Sequence, residues 1–341
     1  MTRRGFLSIV DYQAAREAKP IMKRRIPIAI VAIVTVLGAT YPIVDVTRRP
    51  LNDAARAELV KDGRAQRFVQ TSQGVMHVRL SGPTDGPVVL LVHGGAVGGY
   101  GFQNWQKPLA DAGYRVIVPD LLGYGYSERP DVPYTKEFYT TQLRELLDGL
   151  GIDAPVNVIG ASLGGTIATA FAAENSDTVT SVVLIAPAGG GRTAIVSDVL
   201  TWPVVGDWIF RVFGASTVQS QITASYADTP ARDAMTAWMK DQARYRGFAE
   251  GILNTIRNYD STWQPDPNEA LGRSGLPVLA FWGTEDEVNP YPQSGQLKEW
   301  IPQLRLFTLN GQGHAITYGQ ADTLLAQVIP FLADANPTRG Q

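Results

Sequence analysis

Cysteine is missing from the chain altogether, which excludes disulfides, thiolate nucleophiles and cysteine-held metals together. Histidine is almost as scarce: His77, His93 and His314 are the three candidates for any step that needs an imidazole base. Charge is sparse and balanced, at 18% Asp, Glu, Lys and Arg with a formal net charge of -2. With no basic stripe to follow a phosphate backbone, nucleic acid is set aside as a partner. No clustered ligand set suggests a metal or an organic cofactor, and none is expected. Internal repeats and low-complexity tracts are absent too.

Long hydrophobic runs are few, and one stands out. Residues Ile26 to Val44 carry no charge, and at about 1.5 Å per residue such a run can cross a ~30 Å hydrocarbon layer. Arg3, Arg4, Arg16, Lys19, Lys23, Arg24 and Arg25 precede it; Arg48, Arg49, Arg56, Lys61 and Arg64 follow it. The run is read as an uncleaved, single-pass transmembrane anchor (26–44) behind a basic tail (1–25). Its basic bias favours a cytoplasmic N-terminus with the catalytic domain on the extracytoplasmic side. A cleaved secretory signal is the rival, but its charged leader would be long and Leu37, Gly38 and Ala39 make a poor cleavage site. TRRGFL near the start imitates a twin-arginine signal, yet the apolar run begins too far downstream. Residues 45–65 read as a tether, polar and helical from Pro50 to Arg64.

From there apolar, β-rich runs alternate with helical patterns, which predicts an α/β fold: a mostly parallel, eight-stranded sheet with helices on both faces. Arg67–Thr71 and Val75–Leu80 read as an antiparallel hairpin. Val88–Val92, Arg115–Val118, Val156–Ile159, Val182–Ile185, Val278–Trp282 and Arg305–Leu309 read as buried strands. The alternation stops between Ile185 and Pro277. That stretch, with Trp202, Trp208, Phe210, Phe213, Trp238, Tyr245, Phe248 and Trp263, is too long to be structureless. Its periodicity predicts helices, for example Ala231 to Arg246, and residues 188–265 are read as a helical cap whose aromatics form its own core. The sheet then divides into 66–187 and 266–335.

The chemistry is carried by short motifs. Gly160-Ala161-Ser162-Leu163-Gly164 lies between a strand and a helix, the context that a G-x-S-x-G elbow requires, and makes Ser162 the candidate nucleophile. A neutral hydroxyl needs a base. His77 falls in the first hairpin, where it reads as an ordinary half-buried strand residue. His93 ends a strand ahead of Gly94 and Gly95, where it braces a loop. By elimination His314, in the glycine-rich loop after the last strand, is the base. The acid behind it comes from Glu285, Asp286 and Glu287; Asp286 is chosen because it leads into the turn ahead of Pro290, and the order Ser, Asp, His suits the elbow. Backbone N–H groups of Leu163 and of Gly95, with Ala96 as second choice, are the expected oxyanion donors.

Together with Trp105, Ala112–Ser127 (AGYRVIVPDLLGYGYS), GTEDEVNP and GQGH, these motifs resemble the α/β-hydrolase superfamily over roughly Arg67 to Leu332. The resemblance implies that Asp120 and Ser127 support loop geometry. The subgroup it is most similar to is the capped branch of epoxide hydrolases, haloalkane dehalogenases, esterases and carbon-carbon hydrolases. The first two carry aspartate where this chain has Ser162, so the resemblance implies acyl transfer to water from a small acyl substrate. Ester hydrolysis through an acyl-enzyme is the expected reaction. A carbon-carbon hydrolase acting on dienone-type diketones is the alternative, and a membrane-tethered binding module without activity is the reading from another class.

Overall fold

The computed structural model describes residues 35, 38, 47–191, 202–225 and 232–336. Residues 1–47 and 48–341 form separate compact units. In the first, Thr35, Gly38 and Thr47 are helical; the expected anchor, 26–44, otherwise lies outside the described residues. Among the described residues no helix is long and apolar enough to cross a membrane.

The second unit is built on one sheet. In chain order its elements begin with α1 (Asp53–Lys61), β1 (Arg67–Thr71), β2 (Gly74–Ser81), β3 (Val88–Val92), α2 (Gln103–Asp111), β4 (Arg115–Pro119) and α3 (Lys136–Gly149). They continue with β5 (Val156–Ala161), α4 (Leu163–Glu174), β6 (Val179–Ile185), α5 (Val205–Ile209), α6 (Ala215–Ser225), α7 (Arg232–Ala243) and α8 (Phe248–Asn258). The last are α9 (Pro265–Ser274), β7 (Val278–Gly283), α10 (Gln293–Trp300), β8 (Arg305–Leu309), α11 (Ile316–Gly319) and α12 (Ala321–Ala335). The eight strands lie in the order β1-β2-β4-β3-β5-β6-β7-β8. β2 is antiparallel to both its neighbours, and every other pairing is parallel. The central strands β3, β5 and β7 are buried along their whole length, as the near-continuous valine, leucine and isoleucine runs demand when helices cover both faces.

Two large apolar clusters form, one on each face. One holds Leu90, Val158, Ile167 and Leu184; the other holds Val89, Ile159, Val183 and the inward face of α12. A third, smaller cluster involves the helix expected in the tether. α1 is capped by the Asn52 side chain, which accepts from the Ala55 N–H at 3.1 Å. Ala55 and Leu59 on its inner face are buried with Tyr126 and Tyr245. Spacing four apart places those two residues on one stripe, so the segment is docked along part of its length.

Between β6 and β7 the described chain is helical, from α5 through a wide π-type turn at Phe210–Gly214 into α6, then α7, α8 and α9. The expected helix 231–246 is α7, which stops at Ala243; Gly247, at φ 80, is the N-cap of α8.

Candidate active site

Ser162 alone separates β5 from α4, and a reversal that short forces its backbone to φ 51 and ψ -119, a region that side-chain-bearing residues rarely adopt. The flanking glycines leave no room for alternatives. A Cβ at Gly160 would lie 2.2 Å from the Gly164 carbonyl oxygen, and one at Gly164 would lie 2.1 Å from that of Val92. The Ser162 N–H donates to Ile185 O at 2.9 Å, and its carbonyl accepts from Gly165 at 2.9 Å and Ala188 at 3.2 Å. With the backbone held on both sides, the hydroxyl projects beyond the carboxyl ends of the parallel strands.

His314 meets it there. Its Nε2 lies 3.1 Å from Ser162 Oγ, and its Nδ1 lies 2.8 Å from Asp286 Oδ2. Asp286 also accepts from the backbone N–H groups of Val288 at 2.9 Å and Asn289 at 2.8 Å. Its carboxylate is fully shielded from solvent, whereas the imidazole is 20% exposed. Glu285 and Glu287, its sequence rivals, are exposed. A carboxylate only accepts, so the proton shared with it sits on Nδ1, and Nε2 is left with a lone pair toward the serine. The turn that carries Asp286 is braced: the Asn289 amide donates to Ala186 O at 2.9 Å and the Trp282 indole donates to Asn289 O at 2.7 Å. Thr284 and Glu285 further tie this turn to the histidine loop through Gly311 N–H and Gln312 O, both at 2.9 Å.

The loop after β3 runs beside the nucleophile, since a Cβ on Gly94 would lie 3.2 Å from that of Ser162. His93 fixes the loop from beneath: Nδ1–H donates to Gly94 O at 2.7 Å while Nε2 accepts from the Leu121 N–H at 2.9 Å. Carbonyl and N–H point oppositely across a trans peptide, so the Gly95 N–H faces away from the His93 ring. Burial pushes the His93 pKa below its ordinary value, against the opposing pull of Asp120. Leu163 opens α4, at the positive end of that helix dipole.

His77 departs from the sequence expectation. It is fully buried, not half-buried, with Nδ1 2.8 Å from Asp120 Oδ2 and Nε2 accepting from the Gln66 N–H at 3.2 Å. The reason lies on the neighbouring strand, where Asp120 follows β4 and needs a buried partner. Burial alone would raise the Asp120 pKa, but His77 and then Arg79 outweigh it and hold the carboxyl well below the usual range. Asp120 in turn accepts from Gly99 N–H at 2.6 Å and Tyr126 N–H at 2.9 Å, and Ser127 Oγ donates to the Asp120 carbonyl.

Trp238 on α7, which the sequence assigns to the core of the inserted helices, instead reaches the loop after β3. Its indole N–H donates to Val97 O at 2.7 Å, its ring stacks on Tyr100 at 5.0 Å, and the Arg79 guanidinium lies 5.0 Å from its centroid. Nothing in local sequence spacing marks that contact, because its partners lie far away in the chain.

A family model described as alpha/beta hydrolase fold matches residues 87–319. Among curated proteins, the chain is 31% identical to a 2-hydroxy-6-oxo-6-(2'-aminophenyl)hexa-2,4-dienoic acid hydrolase of Metapseudomonas resinovorans, over 83% of this chain and 96% of the relative. It is 26% identical to a 2-hydroxy-6-oxononadienedioate/2-hydroxy-6-oxononatrienedioate hydrolase of Paraburkholderia xenovorans, over 80% and 97%. Among solved structures, a meta-cleavage product hydrolase from Pseudomonas fluorescens superposes with a TM-score of 0.64 at 23% identity, covering 80% of this chain and 98% of that one.

Proposed function

Because the chain belongs to the alpha/beta hydrolase fold family, we propose that it is a serine hydrolase in which Ser162 is the nucleophile, His314 the general base and Asp286 the residue that orients and charges the base. The observation that carries this is the unbroken relay Asp286 Oδ2, His314 Nδ1, His314 Nε2, Ser162 Oγ at 2.8 and 3.1 Å. As the hydroxyl attacks a carbonyl carbon, its proton passes to His314 Nε2, and the imidazolium is balanced by Asp286. The N–H groups of Leu163 and Gly95 receive the developing oxyanion. The leaving group then takes the proton from His314, and a water activated by the same imidazole releases the acyl-enzyme.

For the bond that breaks, the relatives favour carbon over oxygen. The two curated proteins above are named for 2-hydroxy-6-oxo-dienoates, which reverses the order of the sequence-based readings and puts carbon-carbon cleavage of a related dienone first. A vinylic carbanion is a poor leaving group. The dienol must therefore tautomerise to its keto form, so that attack at the distant ketone expels a stabilised enolate. His314 is the titratable side chain bonded to Ser162; the sequence neighbours Ala161, Leu163, Gly313 and Ala315 cannot transfer protons.

The test is a paired assay on the full chain: loss of the dienolate absorbance of 2-hydroxy-6-oxo-6-phenylhexa-2,4-dienoate, and release of p-nitrophenol from a chain-length series of esters. The proposal expects a higher kcat/KM for the dienone and loss of both activities in Ser162→Ala. Turnover of esters alone would restore ester hydrolysis as the function. Failure of a fluorophosphonate to label Ser162 would leave only a binding module. We place the chain at a membrane through residues 26–44, with the second unit extracytoplasmic; protease access to intact spheroplasts checks that orientation.

A further inference from the structure

Among the described residues seven large apolar side chains are exposed; Val60, Val132 and Trp263 stand apart, and the other four share one segment. Trp202, Val204, Val205 and Phe213 are exposed, Val204 by 71% and Trp202 by 55%, and all belong to the segment that leads into α5 and the turn after it. Val204 is held at φ 67, an expensive conformation for a β-branched residue. Exposed apolar side chains gathered on one segment point to an interface.

The same segment is where the second unit begins. Arg48 Nη2 donates to Arg211 O at 3.1 Å. Arg48 and Arg211 both pair with Glu250, at 3.6 and 2.7 Å. Arg49 exchanges two backbone hydrogen bonds with the end of α7: its N–H donates to Arg244 O at 2.9 Å and its carbonyl accepts from Arg246 at 3.0 Å. Only Asp45, Val46 and Thr47 separate Arg48 from the apolar run that ends at Val44. Fully extended, that link spans at most about 14 Å, against a headgroup layer of about 5–8 Å on each side of the hydrocarbon.

We infer that the Trp202–Phe213 segment docks on the lipid bilayer, with its apolar side chains in the headgroup layer beside the point where the chain leaves the membrane. The occupant is lipid because the covalent link keeps Arg48, and with it the segment it bonds, within about 14 Å of the end of the apolar run, and because tryptophan is suited to the headgroup layer. The inference rests on the reading of 26–44 as a membrane anchor.

The test uses the absence of cysteine. Full-length chain carrying a single Phe213→Cys substitution, and a second with Asp153→Cys in the loop ahead of β5, at the amino ends of the parallel strands, are labelled with an environment-sensitive nitrobenzoxadiazole dye. Both are reconstituted in vesicles of phosphatidylcholine and phosphatidylglycerol with or without doxyl-labelled phosphatidylcholine. The expected result is flotation with the vesicles, a blue shift and loss of emission to the doxyl lipid at position 213, and neither change at 153. Flotation with equal, weak quenching at both positions overturns the docking while leaving the anchor. A blue shift at 213 without lipid quenching means that a second copy or the chain's own apolar run covers the patch, and also overturns it. Failure to float removes the anchor reading and the docking with it.

Discussion

At the scale of single residues, the nucleophile sits in a conformation it does not prefer. Ser162 at φ 51 and ψ -119 costs on the order of 1–3 kcal/mol, offset by the tight packing around Gly160 and Gly164. Glycine at 162 would relieve the strain and lose a few tenths to 1 kcal/mol in added unfolded-state freedom. Ser162→Gly is therefore expected to gain about 1 kcal/mol of stability, seen as a higher Tm, while kcat falls by about 10⁶-fold, as when a serine nucleophile is removed. Ser162→Ala loses the same activity with no gain, since alanine keeps the Cβ that makes the conformation costly. A Tm for Ser162→Gly at or below wild type would mean that the hydroxyl's bond to His314, not backbone strain, dominates the energetics here.

At the scale of elements, the loop after β3 depends on one neutral imidazole. His93 donates from Nδ1 and accepts at Nε2, and protonation would convert that acceptor to a donor facing the Leu121 N–H. Its folded pKa is lowered by burial. The folded state therefore binds fewer protons than the unfolded chain once pH drops below about 6.5. Stability is full above that point and declines as pH falls, by at most about 1.4 kcal/mol per pH unit for this group. Asp120, whose folded pKa is depressed, adds stability above about pH 4 that is lost only as pH drops through its folded pKa. Urea unfolding at pH 7.5, 6.0 and 5.0 should show the first decline in wild type and a flatter profile in His93→Gln; parallel profiles would remove His93 from the account. These elements also mark how far the chain could be read without coordinates. The strands, the elbow and the histidine loop were legible because each is a local pattern: an apolar run, glycines at fixed offsets, a motif at a strand end. Asp286 was separable from Glu285 and Glu287 only by the turn it enters. The Trp238 contact with Val97, the His77–Asp120 pair and the docking of α1 on Tyr126 and Tyr245 were not legible, because each joins distant segments whose partners no local periodicity names.

At the scale of the whole molecule, the inserted helices are held from two directions. Trp238 ties α7 to the loop after β3, and the first residues of the second unit, Arg48 and Arg49, tie α7, α8 and the turn at Arg211 to α1. The Arg48 side chain is only 11% exposed and shares Glu250 with Arg211, so its charged hydrogen bonds are partly sheltered from water. Glu250 retains its bond to Arg211 if Arg48 is lost, so no carboxylate would be stranded. Arg48→Met keeps the apolar stem and deletes the guanidinium. Its cost, discounted for the exposure of Glu250, is about 1 kcal/mol, and it should fall first on the helices because the partners of this arginine, Arg211 and Glu250, both lie in them. Hydrogen exchange should then quicken about fivefold across α5 to α8, following from that 1 kcal/mol at RT of about 0.6, with β3, β5 and β6 unchanged. Equal acceleration in the central strands would mean that the helices and the sheet open together, and that the chain's entry point stabilises the whole fold.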